Sequence, residues 1–368
     1  MNAAAPDDLR FMQLALTLGR RGLGNTWPNP AVGAVVVKHG VVVGRGWTQP
    51  GGRPHAETEA LRRAGQAARG ATLYVTLEPC SHHGKTPPCA DAIVAAGVAR
   101  VVSALGDPNP KVAGDGYARL RATGIAVTEG ICADAARRSH AGHIRRVLDH
   151  RPHVMLKLAV SADGKAALSG GKPVQITGEA TRARVHLMRA MSDAILVGIG
   201  TVLADDPALT CRLPGMLATS PVRVVLDGAL RLPERSQLVT SAKQAPVWVF
   251  CATDAPSERE RVLGEQGVTV IRMSTSAGGL DLSAVLRILA ERGITRLMVE
   301  GGPKVAASLL RADLVDEAVL LHGPITIGSD GMDALDGLAL DALTASPVLS
   351  LSETEMIGGD KLERYERR

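Results

Sequence analysis

Aromatic side chains are scarce in this chain, whose 368 residues include three tryptophans, three tyrosines and two phenylalanines. Its cores must be built from Ala, Val, Leu and Ile, and a surface that stacks nucleic-acid bases on interleaved rings is not expected. A basic run is also missing. The net charge is +5, from 42 Lys and Arg against 37 Asp and Glu, but these residues are spread along the sequence, which suits small anionic ligands better than a polyanion. No apolar stretch reaches the length of about 18 residues that a membrane span needs. The opening residues lack a basic segment followed by an apolar core, so a cytoplasmic protein is expected. Five cysteines, an odd number, speak against a disulfide framework and turn attention to metal or catalytic use.

What is present is a globular composition, 45% hydrophobic and 21% charged, at a length that commonly forms two domains. Short Val-rich runs alternate with Ala- and Arg-rich stretches of helical spacing, the pattern of layered α/β folds. Strands are expected first at 34–38, 41–47, 72–77, 101–105 and 126–129, with helices at 8–21, 56–69, 89–96, 117–122 and 133–146. A charged stretch then ends in Pro152, which closes the helical pattern. Further strands are expected near 154–160, 194–197, 222–226, 247–251, 268–271, 297–300 and 318–321, with helices at 179–191, 282–292 and 303–311. No repeat links the halves, so they read as two different domains, residues 1–150 and 151–368.

The strongest chemical signal is His55-Ala56-Glu57, followed by Glu78-Pro79-Cys80 and then Pro88-Cys89. One imidazole and two thiolates suit Zn²⁺ and leave its fourth position open, as in catalytic sites. His55 and Cys89 each follow a proline at the start of an expected helix, where the positive helix end favours thiolate over thiol. Glu57 lies two residues from His55, close enough to carry a proton between an activated water and a departing amine without binding the metal. H-x-E followed by paired cysteines is the pattern of zinc-dependent nucleobase deaminases. Here eight residues, Ser81 to Pro88, separate the cysteines where the common spacing is two. Cys132, Cys211 and Cys251 have no such partners and read as ordinary core or surface residues.

The widened spacing is itself informative. The segment Glu78-Pro79-Cys80-Ser81-His82-His83-Gly84-Lys85-Thr86-Pro87-Pro88-Cys89 resembles the signature of the bifunctional riboflavin-biosynthesis deaminase-reductases. Pro28-Asn29-Pro30-Ala31-Val32-Gly33 and Asp107-Pro108-Asn109-Pro110-Lys111-Val112-Ala113-Gly114 add to the likeness, which spans essentially the whole chain. The resemblance implies a cytidine-deaminase-like three-layer α/β/α domain followed by a dihydrofolate-reductase-like α/β domain. The first would deaminate 2,5-diamino-6-ribosylamino-4(3H)-pyrimidinone 5′-phosphate, and the second would use NADPH to reduce the ribosyl group to ribityl. By the same likeness one zinc ion per chain is held by His55, Cys80 and Cys89, with Glu57 as proton donor. Asn29, His82, Lys85, Asp107 and Asn109 would line the pyrimidine pocket.

In the second half, Glu300-Gly301-Gly302-Pro303-Lys304 lies between an expected strand and helix. By itself it reads equally as a phosphate-approach loop or a tight turn. No G-x-G-x-x-G fingerprint is present. The segment Thr201–Arg212 reads by itself as a polar surface loop. The resemblance assigns Ala159, Thr201, Asp205 and the stretch Gly302, Pro303, Lys304, Val305, Ala306, Ala307 and Ser308 to NADPH. It assigns Arg189, Leu209, Arg212 and Glu300 to the substrate, the arginines suiting its phosphate, and places Lys157 beside the hydride-transfer site. It also implies a homodimer. One departure stands out: Pro173-Val174-Gln175-Ile176-Thr177 replaces the family's usual Ser-x-Trp-Ile-Thr, so neither the hydroxyl nor the indole is supplied here. The competing reading, a nucleoside or RNA deaminase with a non-catalytic second domain, is opposed by the cysteine spacing and by the missing basic and aromatic surface. Neither nucleic acid nor membrane is expected as a partner.

Overall fold

In the computed structural model, which describes residues 6–368 apart from 83, 85, 86, 111, 173, 277 and 278, the chain divides into two compact units, Met1–Arg151 and Pro152–Arg368. The elements of the first are α1 (Pro6–Gly19), β1 (Gly33–Lys38), β2 (Val41–Trp47), α2 (Ala56–Ala64), β3 (Thr72–Val75), α3 (Cys89–Ala95), β4 (Arg100–Ser103), α4 (Asp115–Ala122), β5 (Ala126–Thr128), α5 (Ala133–Ser139) and α6 (Ala141–Leu148). The five strands form one sheet in the order β2-β1-β3-β4-β5, antiparallel up to β3 and parallel beyond it.

The Val-rich run of β1 is buried on both faces. Ala34 and Val36 pack with Ala56, Ala60, Ala90, Ile93 and Leu120 from α2, α3 and α4. Val35 and Val37 pack with Phe11, Met12, Ala15 and Ala136 from α1 and α5. Period-two alternation therefore feeds two cores, and the unit is the three-layer α/β/α sandwich expected. The helix expected over 133–146 is interrupted at His140, whose backbone leaves helical geometry at φ −99°, ψ 11°. Its buried ring bonds to Thr76 Oγ1 at 3.0 Å, and that tertiary contact prevails over helical propensity. The helix expected over 56–69 ends its α-helical part at Ala64 and continues as a 3₁₀ turn.

The second unit contains β6 (His153–Val160), β7 (Lys165–Ala167), α7 (Glu179–Ala190), β8 (Ala194–Gly198), α8 (Ile199–Asp205), β9 (Val222–Leu226), α9 (Gln237–Thr240), β10 (Val247–Ala252), α10 (Ser257–Glu265), β11 (Val268–Met273), β12 (Thr275–Ser276), β13 (Gly279–Leu280), α11 (Leu282–Glu291), β14 (Arg296–Val299), α12 (Pro303–Arg311), β15 (Glu317–His322), β16 (Met332–Asp333), α13 (Asp341–Thr344), β17 (Leu349–Ile357) and β18 (Asp360–Arg367). Nine strands form the main sheet, in the order β11-β10-β9-β8-β14-β6-β15-β18-β17. It is parallel from β11 to β15 and closes with the antiparallel pair β18 and β17.

The sequence reading did not include α10 or the short helices α9 and α13, and it differs from the structure at two further places in this unit. The segment after Thr201 begins inside a helix, α8, and becomes loop only after Asp205. The hairpin β17–β18 was not expected, because its strands are rich in Ser, Glu and Arg and β17 is mostly exposed. Its signal is Gly358-Gly359, with φ of 58° and 99°, the glycine pair that a two-residue hairpin turn favours. No helix among the described residues is long and apolar enough to cross a membrane.

Candidate active sites

In the first unit, β2 carries two glycines that bring α2 directly against the sheet. A Cβ on Gly46 would lie 2.4 Å from the Ala56 carbonyl oxygen, and one on Gly44 would lie 2.2 Å from that of Ala60. His55 is the residue before the first turn of α2, Glu57 lies within that turn, and Cys89 opens α3. The register of α2 on β2 therefore sets where the first part of the site sits. Replacing Gly46 with Ala should cost about 1–3 kcal/mol through overpacking and lower deamination at least tenfold. Reduction of pre-deaminated substrate should persist. Thermal unfolding and separate assays of the two steps check this.

The expected ligands converge. His55 Nδ1 lies 3.3 Å from Cys89 Sγ and 3.6 Å from Cys80 Sγ, and the Cys89 backbone N–H points to Cys80 Sγ at 3.3 Å. The three donor atoms lie within 4.8 Å of one another. Hydrogen bonding from the Cys89 thiol, aided by the His55 ring, pushes the Cys80 thiol down. The same bond, together with burial, pushes Cys89 up. Two sulfurs and an imidazole nitrogen this close together could hold a cation, and this donor set fits zinc. Glu57 is only 4% exposed, and burial pushes its carboxyl up to about 7.

The expected pocket residues come from three segments, before β1, between β3 and α3, and between β4 and α4. Asn29 Nδ2 donates to the Gly52 carbonyl at 2.8 Å, which ties the Pro-Asn-Pro segment to the approach to His55. Asp107 is largely buried, and its Oδ1 accepts the Asn109 N–H at 2.9 Å. His82 is exposed, and Lys85 lies outside the described residues. Sequence reasoning did not single out Glu78. Its buried carboxylate accepts backbone N–H groups from Asp107 (3.2 Å), Gly114 (3.1 Å), Gly116 (3.0 Å) and Tyr117 (3.4 Å). Burial raises this carboxyl, while the four donors stabilise it as the anion. Glu78 therefore binds the loop of Asp107 and Asn109 to the loop of Cys80.

In the second unit the site forms at the carboxyl ends of neighbouring parallel strands, where α/β sheets bind ligands. Lys157 lies on β6, Glu300 directly follows β14, and Arg189 stands in the last turn of α7. Arg189 grips Glu300 with two bonds, Nε to Oε1 at 2.6 Å and Nη2 to Oε2 at 3.0 Å, and its Nη1 donates to the Thr210 carbonyl at 3.2 Å. Lys157 Nζ is 3.7 Å from Glu300 Oε2. Burial would raise the Glu300 carboxyl, but Arg189 and Lys157 outweigh it and hold it at about 2, while burial pushes Lys157 down. Arg189 is thus committed to Glu300, and Arg212, which is exposed, is the arginine of this pair open to an anion.

The loop of Leu209 is held firmly. Leu209 is buried at φ 54°, an uncommon conformation for a side chain of its bulk. Arg223, fully buried, donates to the preceding carbonyl of Ala208 at 3.3 Å. His186, which sequence reasoning missed, lies one turn before Arg189, and its Nδ1 accepts the Arg212 backbone N–H at 3.3 Å. Burial, with the charges of Arg189 and Arg212, pushes this ring down.

The strand-to-helix turns after β8 and β14 lie side by side. A Cβ on Gly302 would come within 3.4 Å of the Thr201 hydroxyl, and one on Gly301 within 2.9 Å of Val305. Glycine at both positions is what lets the two turns approach this closely. Ala159 lies on β6 and Asp205 ends α8, exposed. Pro303, Lys304, Val305 and Ser308 remain at least partly open, whereas Ala306 and Ala307 bury their methyl groups in the core. The first turn of α12 and, one turn on, Ser308 are therefore accessible. Gln175 is exposed, and Pro173 lies outside the described residues.

A deaminase-type donor set in one unit and a strand-end Lys–Glu–Arg cluster in the other are the chain's two candidate sites, and the similarity of both units to known proteins makes it a bifunctional deaminase-reductase. Residues 5–105 match the cytidine and deoxycytidylate deaminase zinc-binding region, and residues 152–361 match the RibD C-terminal domain. The riboflavin biosynthesis protein RibD of Escherichia coli K12 is 42% identical over 366 residues, covering 96% of this chain and 97% of that protein. RibD of Aquifex aeolicus is 40% identical, covering 98% of each. The solved structure of Acinetobacter baumannii RibD aligns with a TM-score of 0.86 at 36% identity, over 98% of this chain and 99% of that one. A diaminohydroxyphosphoribosylaminopyrimidine deaminase/5-amino-6-(5-phosphoribosylamino)uracil reductase from Thermotoga maritima aligns with a TM-score of 0.85 at 36% identity and the same coverage. The chain belongs to the RibD family.

Proposed function

We propose that the first unit hydrolytically deaminates 2,5-diamino-6-ribosylamino-4(3H)-pyrimidinone 5′-phosphate, releasing ammonia. The second unit then reduces the ribosyl group with NADPH to give 5-amino-6-ribitylaminouracil 5′-phosphate. The observation that carries this reading is the convergence of His55, Cys80 and Cys89, with a buried Glu57 in the first turn of the helix that His55 precedes. Family membership and the cluster of Lys157, Glu300 and Arg189 support the second step.

His55, Cys80 and Cys89 would hold the zinc ion, which when bound supplies Lewis acidity that makes water a nucleophile at neutral pH. Glu57 takes a proton from the attacking water and delivers it to the leaving amino nitrogen; its burial keeps bulk water from competing for that proton. Asn29, Asp107 and Asn109 present amide and carboxylate groups to the polar edge of the pyrimidine. In the second unit NADPH, when bound, supplies the reducing equivalent. Thr201, Gly302 and the first turn of α12 shape its cleft, and Glu300 fixes Lys157 beside the reacting sugar, where the ammonium can hold or give a proton. Arg212 meets the substrate phosphate.

Mass spectrometry of products from zinc-loaded protein, with and without NADPH, tests the whole reading. Deamination alone is expected without NADPH, and the ribityl product on its addition. Deamination in both tubes without reduction would refute the second step, and no deamination would refute the first.

A further inference from the structure

Asp107 is held from a side that its own loop does not supply. His143, near the start of α6, directs Nε2 to Asp107 Oδ1 at 2.9 Å, and the two side chains are 9% and 10% exposed. A carboxylate offers no proton, so the ring nitrogen is the donor in either protonation state of the imidazole. The same Oδ1 also accepts the Asn109 N–H at 2.9 Å, and the Asp107 N–H donates to Glu78 at 3.2 Å. Both ends of the residue are therefore fixed, and Oδ1 is occupied by two donors. Oδ2 accepts none of the hydrogen bonds formed among the described residues. His143 Nδ1 is buried with no partner among the described residues. An aliphatic or aromatic side chain would fill this space without leaving a buried polar atom unpaired, so the imidazole has a stability cost that its single bond to Asp107 must offset.

We propose that His143 is a positioning residue for the deaminase, locking Asp107 so that Oδ2 alone faces an N–H donor of the aminopyrimidine. The inference rests on reading Asp107 as a substrate residue. A side chain that fixes a binding carboxylate acts chiefly on the capture of substrate, so its loss raises KM more than it lowers kcat.

The test is steady-state ammonia release by the full-length zinc-loaded protein for H143A, H143Q, D107N and the double variant D107N/H143A. Thermal unfolding of each variant is measured alongside. H143A is expected to raise KM about tenfold with a smaller change in kcat. H143Q, whose amide nitrogen can occupy the place of Nε2, is expected to recover most of that loss. In the D107N background H143A should add no further loss, since coupled residues are non-additive. An unchanged KM in H143A, or a loss that is equally large in D107N, overturns the proposal while leaving Asp107 in the pocket. A D107N variant with unchanged KM instead removes the reading beneath it. H143Q as impaired as H143A, with melting lowered equally in both, assigns His143 to packing alone and also overturns the proposal.

Discussion

Replacing Glu57 with alanine abolishes ammonia release, by at least about a thousandfold, while zinc stays bound and reduction of pre-deaminated substrate proceeds at the wild-type rate. The size follows from the work assigned to this side chain. General acid–base transfer contributes about 10²–10⁴ to rate, and Glu57 is buried in the first turn of the helix that His55 precedes. Zinc content is expected to persist because His55, Cys80 and Cys89 are untouched. Inductively coupled plasma analysis alongside the ammonia assay separates loss of the shuttle from loss of the metal. Loss of both activities in a normally folded variant would contradict independent sites.

The second large effect belongs to Lys157 and Glu300, and the two should fail differently. Lys157→Met removes a buried cation of similar length, leaves Glu300 paired with Arg189, and should keep the fold while lowering NADPH consumption at least about a hundredfold. Glu300→Gln leaves both Lys157 and Arg189 without a counter-charge. Breaking a buried ion pair from one side costs about 3–5 kcal/mol, so this variant should lose reduction and also melt earlier. Ammonia release in both should match wild type. Equal melting in the two variants would show that Glu300 does not carry the charge balance of the cluster.

The candidate zinc ligands and Glu57 were legible because a metal fixes both residue types and spacing, and two of the three donors, His55 and Cys89, stand at a helix start just after a proline. The strands β1, β9 and β10 were legible because their apolar runs are buried on both faces. Glu78 and His143 were hidden for a physical reason. Their partners are backbone N–H groups or a carboxylate brought near only by folding, and neither leaves a periodic trace in the chain. The break at His140 was hidden in the same way, since its cause is Thr76, far away in sequence. β17 escaped because it is mostly exposed and polar, and β18 because its charged side chains are half-buried and held in ion pairs formed only on folding, although the glycine pair between them marked a turn.

Because the groups that Glu78 accepts among the described residues are main-chain N–H groups, its grip on the loop that follows β4 does not depend on the side chains of the donors. Substitution at Asp107 can alter what the loop offers a ligand and still leave its backbone bonded to Glu78, unless the newcomer is proline, which has no N–H to give. Gly116 is more constrained, because any Cβ there would lie 2.1 Å from the Pro79 carbonyl oxygen. An anchor of this kind separates the evolvability of the pocket from its architecture: specificity can drift residue by residue over a backbone whose place is guaranteed by one carboxylate.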